Sequence, residues 1–211
     1  MSIFEEMSSF LQQGRAPKVK ELVSQALENG EDPKRILEEG LLAGMAVIGA
    51  KFKNNEVYVP EVLIAARAMN AGMEVLKPAL ASGDVKAIGK AILGTVKGDL
   101  HDIGKNLVKI MLEGKGIEVI DLGTDVAPEK FIQAAIDNDA KIVACSALLT
   151  TTMGVMKDVV DKAVEMGVRD KVAIMVGGAP VTENFKDSIG ADYYAPDAAS
   201  AADVAYGILT A

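Results

Sequence analysis

The chain is short of both cysteine and histidine: its 211 residues hold one of each. A single cysteine, Cys145, excludes an internal disulfide, and its place in a strand-like run makes inert packing the expected role. There is no basic cluster, and the net charge is −8. That argues against a nucleic-acid partner, because such binding rests on neutralising phosphates. No apolar run reaches the ~20 residues of a membrane-spanning helix, so no membrane partner is expected. The first residues, Met1-Ser2-Ile3-Phe4-Glu5-Glu6, lack the basic start and apolar stretch of a signal peptide, which makes the cytoplasm the expected compartment. Internal repeats and low-complexity tracts are missing too. Half of the residues are hydrophobic, enough to bury a core in one large domain or two small ones.

The pattern changes once along the chain. The first part is helical: a short amphipathic segment from Ile3 to Leu11, then helices near 17–28, 33–52 and 60–77. Pro17, Pro33 and Pro60 each fall where a helix should begin, since a first-turn residue has no intrahelical use for its N–H. Asp32 is placed to cap the third helix, and Asn29-Gly30 to stop the second. Leu41 to Ala50 is apolar nearly all round and is expected at the buried centre of the bundle. In the last helix Arg67, Asn70, Glu74 and Lys77 form one polar stripe. Its apolar arc (Val62, Leu63, Ala65, Ala66, Met69, Ala71, Met73, Leu76) is wider than one neighbour needs. It is either buried on two sides or covers something outside the bundle. Residues 81–90, with Ser82-Gly83-Asp84 and Gly89, read as a linker. Beyond them strands near 91–96, 117–121, 141–145, 172–176 and 191–194 alternate with helices near 105–114, 128–138, 154–166, 183–188 and 198–209. Alternation of this kind implies an α/β fold with a parallel, doubly wound sheet.

The lone histidine lies in Lys97-Gly98-Asp99-Leu100-His101-Asp102-Ile103-Gly104-Lys105-Asn106, between the first strand and its helix. Loops at the carboxyl ends of parallel strands line the ligand crevice of such sheets. Histidine is the commonest metal-ligand side chain, although a lone loop histidine is more often simply solvated. Asp99 is placed to take the proton on its second ring nitrogen, as partners of metal-bound histidines do. Gly98 and Gly104 let the backbone come close to a ligand or to itself. After the third strand comes Ser146-Ala147-Leu148-Leu149-Thr150-Thr151-Thr152, whose hydroxyls can bond polar ligand groups or cap the next helix. After the fourth comes Gly177-Gly178, which either passes a flat ligand close to the backbone or makes a tight turn.

Asp99, His101 and Gly104 spell D-x-H-x-x-G, and the string GDLHDIGKN, with Ser146-x-Leu148 and the Gly177-Gly178 pair at matching places, resembles corrinoid-binding (cobalamin-binding) proteins of methyltransferase systems and the cobalamin module of methionine synthase. The resemblance covers nearly the whole chain. It implies an N-terminal four-helix cap over residues 1–80, the 81–90 linker, and a Rossmann-like (flavodoxin-type) five-stranded domain over 91–211. It implies a corrinoid cofactor, methylcobalamin or a related cobamide, with His101 as the lower axial ligand to cobalt and Asp99 as its proton partner. Thr152 stands where methionine synthase has the relay serine. Thr150 matches a residue lining the slot for the displaced base, and Gly98, Leu100, Asp102, Ile103, Gly104, Ser146, Leu148, Gly177 and Gly178 fall in the cofactor loops. Tyr58-Val59-Pro60 resembles the start of the last cap helix.

The activity implied is methyl carriage on cobalt. The chain has no room for a catalytic barrel of ~250 residues, so it is not expected to catalyse alone. A donor-specific methyltransferase would supply the methyl group, an acceptor methyltransferase using a folate or thiol would remove it, and a reductive activase would serve the cobalt. Methylamines, methanol and aryl methyl ethers are all open as donors. A corrinoid subunit of an adenosylcobalamin mutase uses the same D-x-H-x-x-G, and a cobalamin sensor and a flavodoxin-like nucleotide domain are further readings. The cap-like helices count against the first and the acidic charge against the second; a bound corrinoid would colour the protein red, which separates the third.

Overall fold

The computed structural model describes residues 2–81 and 87–211. The chain divides into two compact units, Met1–Lys86 and Ala87–Ala211. Half of the expected linker, residues 82–86 with Ser82, Gly83 and Asp84, lies outside the described residues.

The first unit is a four-helix bundle. Helix α1 (Ile3–Gln12) opens with a reciprocal cap: the Glu5 N–H donates to Ser2 Oγ and the Ser2 N–H to Glu5 Oε2. Helix α2 (Ala16–Glu28) carries Pro17 in its first turn and stops at Asn29-Gly30. The third arm is one helical run in three parts: α3 (Pro33–Arg35), a π-helical segment Ile36–Leu42, and α4 (Ala43–Lys53). Asp32 caps it as expected, accepting from the Lys34 N–H at 2.9 Å. The expectation of all-round burial for Leu41–Ala50 fails. Leu41, Gly44, Met45 and Ile48 are buried, whereas Ala46, Val47 and Ala50 are exposed. Alanine and valine do not mark a face by polarity, so the periodicity of burial was hidden in an apolar run.

Helix α5 (Val59–Ala81) runs past the expected stop. Pro78 lies within its last turn, where the missing N–H removes one intrahelical hydrogen bond. Arg67, Asn70, Glu74 and Lys77 form the exposed stripe, and Val62, Ala65, Ala66, Met69 and Leu76 are buried. Leu63 and its neighbour Ile64 are about half exposed, at 47% and 50%. The apolar arc is therefore covered only in part.

The second unit is a parallel sheet of order β2-β1-β3-β4-β5, formed by β1 (Lys90–Thr95), β2 (Glu118–Asp121), β3 (Ile142–Ser146), β4 (Ala173–Gly177) and β5 (Tyr193–Tyr194). The helices are α6 (Ile103–Glu113), α7 (Pro128–Asn138), α8 (Gly154–Glu165), α9 (Glu183–Ile189) and α10 (Ala198–Thr210). Helices α6 and α10 pack together, as do α7 with α8 and α8 with α9. Right-handed crossovers in this strand order place the two groups on opposite faces. Ile92, Val143, Ile174 and Val176 meet Phe131, Ile132, Met156 and Val159 in the core, and Cys145 is buried there, its thiol pushed up to about 12 by that burial. The cysteine is inert packing, as expected.

Two boundaries bear on the site. Helix α6 begins at Ile103 rather than 105, so Gly104 lies in its first turn and not in the loop. Ser146 and Gly177 are the last residues of their strands and pair with each other. The strand order reverses between β1 and β3, and ligands in this topology sit in the crevice at that switch point.

Candidate functional site

The loop from β1 to α6 is shaped by its backbone before any side chain acts. Gly98 has φ +83°, a left-handed conformation that glycine adopts without penalty. It turns the chain so that Asp99 points inward and His101 outward. Thr95, fully buried at the end of β1, donates its hydroxyl to the His101 carbonyl at 2.8 Å and fixes the loop's far side. On the near side Asp125, from the loop after β2, accepts from the Gly98 N–H at 2.7 Å.

Asp99 is the buried centre of the site, with no exposed surface. Its Oδ1 accepts from the His101 backbone N–H at 3.1 Å and meets His101 Nδ1 at 2.7 Å. Its Oδ2 accepts from the Leu148 and Leu149 N–H groups at 2.8 and 3.2 Å and from the Thr152 hydroxyl at 2.9 Å. Burial alone would push this carboxyl up. The bonds from Leu148, His101 and Thr152 outweigh it and hold the group well below the usual carboxylate range. An ionised Asp99 can only accept, so in the neutral imidazole the proton sits on Nδ1 and Nε2 keeps its lone pair. The imidazole is half exposed, at 51%.

Thr152 settles one open choice. Helix α8 has Met153 at its N-cap position and no side-chain cap bond. The Thr152 hydroxyl is buried beside Asp99 instead, with the Leu149 carbonyl as a second acceptor at 2.9 Å. It has one proton to give, and the charged oxygen is the stronger acceptor. The glycine pair divides as well. Gly178 has φ +129°, and a Cβ there would lie 1.9 Å from the Ala147 carbonyl oxygen. Backbone packing between the β3 and β4 loops accounts for that glycine. Gly104 differs, since a Cβ there would meet nothing within 4 Å.

The structure thus joins Gly98, Asp99, His101, Leu148 and Thr152 in one network. Leu100 and Ile103, at 73% and 77% exposure, flank His101 in sequence, and Leu148 and Leu149 are exposed on the facing loop. Asp102 turns aside, its carboxylate accepting from Asn106 at 3.1 Å, and Thr150 is exposed on the β3 loop. Sequence reasoning missed Thr95, Leu149, Asp125 and a buried ion pair. Lys105 is 2% exposed and bonds both Asp121 oxygens at 2.7 Å, tying the first turn of α6 to the end of β2. Two signals were available: a lysine inside the motif string, and an aspartate ending a strand.

Among the described residues no group of three or more His, Cys, Asp or Glu side chains could hold a metal ion. The site offers a metal a single imidazole nitrogen, so a group suited to it would carry its other ligands itself. One imidazole with a bare Nε2, beside exposed apolar side chains, fits a cobalt corrinoid, whose macrocycle brings its own equatorial nitrogens.

Comparison with known proteins agrees. Residues 89–203 match the family described as B12 binding domain, and residues 3–77 match a second family of the same description. Fold and site therefore define a B12-binding protein. The chain is 43% identical to trimethylamine corrinoid protein 1 of Methanosarcina acetivorans, over 84% of this chain and 83% of that one. It is also 43% identical to dimethylamine corrinoid protein 3 of the same organism, over 86% and 87%. The methanol:cobalamin methyltransferase complex MtaBC of Methanosarcina barkeri superposes with a TM-score of 0.89 at 31% identity, covering 99% of this chain and 80% of that one. The chain belongs to the corrinoid proteins of methyltransferase systems: it is a methyl carrier that holds the group on the cobalt of its corrinoid and works with methyltransferases. Among the described residues no helix is long and apolar enough to cross a membrane.

Proposed function

We propose that this carrier takes its methyl group from a methylamine and that His101 is the lower axial ligand of its cobalt. The tri- and dimethylamine corrinoid proteins are 43% identical to it, against 31% for the methanol complex. The observation that carries the ligand assignment is the 2.7 Å contact between His101 Nδ1 and Asp99 Oδ1, which in the neutral imidazole leaves the lone pair on Nε2 of a half-exposed side chain.

The corrinoid supplies a cobalt centre that accepts and releases a methyl group. This chain supplies the rest. Asp99 holds the Nδ1 proton and the ring's angle, Thr152 and the Leu148 and Leu149 amides hold Asp99, and Thr95 fixes the His101 carbonyl. Gly98, Leu100, Asp102, Ile103, Gly104, Ser146, Leu148, Thr150, Gly177 and Gly178 line the cofactor. Residues 1–80 act as the cap, 81–90 as the linker and 91–211 as the cofactor domain; exposed Val47, Leu63 and Ile64 support a covering role for the helices. An acceptor methyltransferase using a thiol or folate removes the methyl group, a reductive activase restores over-oxidised cobalt, and the compartment is the cytoplasm.

The donor is tested by mixing the reduced holoprotein with methyltransferases specific for mono-, di- and trimethylamine, methanol and an aryl methyl ether, each with its substrate, and following the corrinoid spectrum. Methylation by one methylamine enzyme is expected. Methylation by the methanol or aryl ether enzyme alone would overturn the donor.

A further inference from the structure

We propose that Asp125 is a positioning residue for the axial imidazole, acting through the backbone that aims Asp99. The proposal rests on the reading of His101 as the cobalt ligand. Asp125 lies on the loop between β2 and α7, 24 residues on from His101, and its carboxylate does not bond to it. It grips the Gly98-Asp99 segment at both ends. Its Oδ1 accepts from the Gly98 N–H at 2.7 Å, and its own N–H donates to the Asp99 carbonyl at 3.0 Å. One residue therefore holds the Lys97-Gly98 peptide and the Asp99-Leu100 peptide, the two on either side of the Gly98-Asp99 peptide.

The clamp stands on a fixed base. The next residue, Val126, bridges to Val96 and donates its N–H to the Thr95 carbonyl at 3.0 Å, while the Thr95 N–H donates to Gly123 at 2.9 Å. At the start of the loop Asp121 accepts from the Gly123 N–H at 2.9 Å and holds buried Lys105 of α6. The same loop thus anchors the histidine segment ahead of His101 and behind it. Asp125 itself has φ +54°, a left-handed conformation that aspartate and asparagine tolerate better than most side chains. This geometry selects a short side chain with an acceptor oxygen.

The chemistry follows from how Asp99 is satisfied. Its Oδ2 must meet two backbone N–H groups and a hydroxyl while Oδ1 meets the imidazole. Rotating the Gly98-Asp99 segment swings the carboxylate away from one set or the other. With the Gly98 N–H released to water, the segment gains that freedom and the imidazole loses its fixed angle. The contact needs only an acceptor oxygen at this place, and the charge of the carboxylate strengthens it further.

The test compares full-length holoprotein carrying Asp125→Gly, Asp125→Asn or His101→Ala with the parent, at one fixed pH. Glycine keeps the left-handed backbone and removes the acceptor; asparagine keeps both. Two readouts are taken: in holoprotein made with 15N-histidine, the fraction of cobalt(II) showing the axial doublet of a 15N nucleus by electron paramagnetic resonance, and amide hydrogen exchange at Gly98 in cofactor-free protein. In Asp125→Gly the ratio of histidine-bound to histidine-free cobalt should fall about tenfold, the low end for partners behind a metal ligand, with faster exchange at Gly98. Asp125→Asn should stay close to the parent. If His101→Ala abolishes the doublet while Asp125→Gly leaves it intact, the positioning role is wrong and the ligand assignment stands. If the parent made with labelled histidine shows no doublet, both fall together.

Discussion

Replacing Asp99 with asparagine perturbs the imidazole's proton with little change of shape. The carboxylate accepts two bonds at Oδ1, both from His101, and three at Oδ2, from Leu148, Leu149 and Thr152. Asparagine offers one accepting oxygen and an NH2 that only donates. With the oxygen in the Oδ2 place, the donors there stay satisfied and the NH2 faces His101. The ring can answer by moving its proton to Nε2, so that Nδ1 accepts. The His101 backbone N–H cannot, and is left against a donor. The opposite orientation strands the Leu148 and Leu149 amides, so the first is favoured. One stranded donor costs about 1–3 kcal/mol. The tautomer it imposes has no lone pair on Nε2, and cobalt affinity for the imidazole should fall ~10–100-fold.

The acid limb of stability should change with it. A carboxyl held below its ordinary pKa contributes stability that is present above the unfolded value of ~3.9 and lost as pH falls through the native value. The parent should therefore lose the Asp99 contribution progressively below about pH 5, and Asp99→Asn should lack that part of the slope. Urea unfolding of cofactor-free protein from neutral to acid pH measures the slope, and the corrinoid spectrum measures the ligand. A variant with the parent's acid slope and undiminished imidazole binding would refute the argument.

Other changes separate the roles of single contacts. Thr152→Val removes one donor from Asp99 and should cost about 1 kcal/mol in urea unfolding, with a smaller loss of imidazole binding than Asp99→Asn; equal or greater loss would reverse the order of the relay. Gly104→Ala should raise cofactor-free stability by up to ~1 kcal/mol, because its Cβ meets nothing and alanine is the better helix former. Weaker corrinoid retention in that variant would mark the glycine as room kept for the ligand, whereas unchanged retention would remove it from the site. Gly178→Ala should destabilise by about 1–3 kcal/mol through collision with the Ala147 carbonyl, read in the same unfolding assay. Lys105→Met should cost about 3 kcal/mol by stranding Asp121, less whatever Lys109, 3.6 Å away, restores.

Much of this was legible in the chain. The change from helical periodicity to alternating strands and helices gave the order of the elements, because burial on one helix face and on both faces of a parallel sheet leave different apolar patterns. The motif string located His101 and Asp99, and Thr152 came from its matching position. What stayed hidden was three-dimensional. Thr95 reads as an ordinary strand residue, and only the return of the loop brings its hydroxyl to the His101 carbonyl. Asp125 lies 24 residues from His101 and reads as a turn residue. The reason for Gly178 is the nearness of Ala147, which the pairing of β3 with β4 creates. The one-sided burial of Leu41–Ala50 was lost because small apolar residues can face either way.

Because His101 is the only histidine in the chain, its nitrogen can be labelled without labelling any other imidazole in the protein. Holoprotein made with 15N-histidine and reduced to cobalt(II) should show its axial nitrogen splitting change from triplet to doublet in electron paramagnetic resonance, as the nuclear spin changes from that of 14N to that of 15N. A triplet that survives the label would mean that the axial nitrogen belongs to the cofactor's own base, and would contradict the assignment of His101 to cobalt.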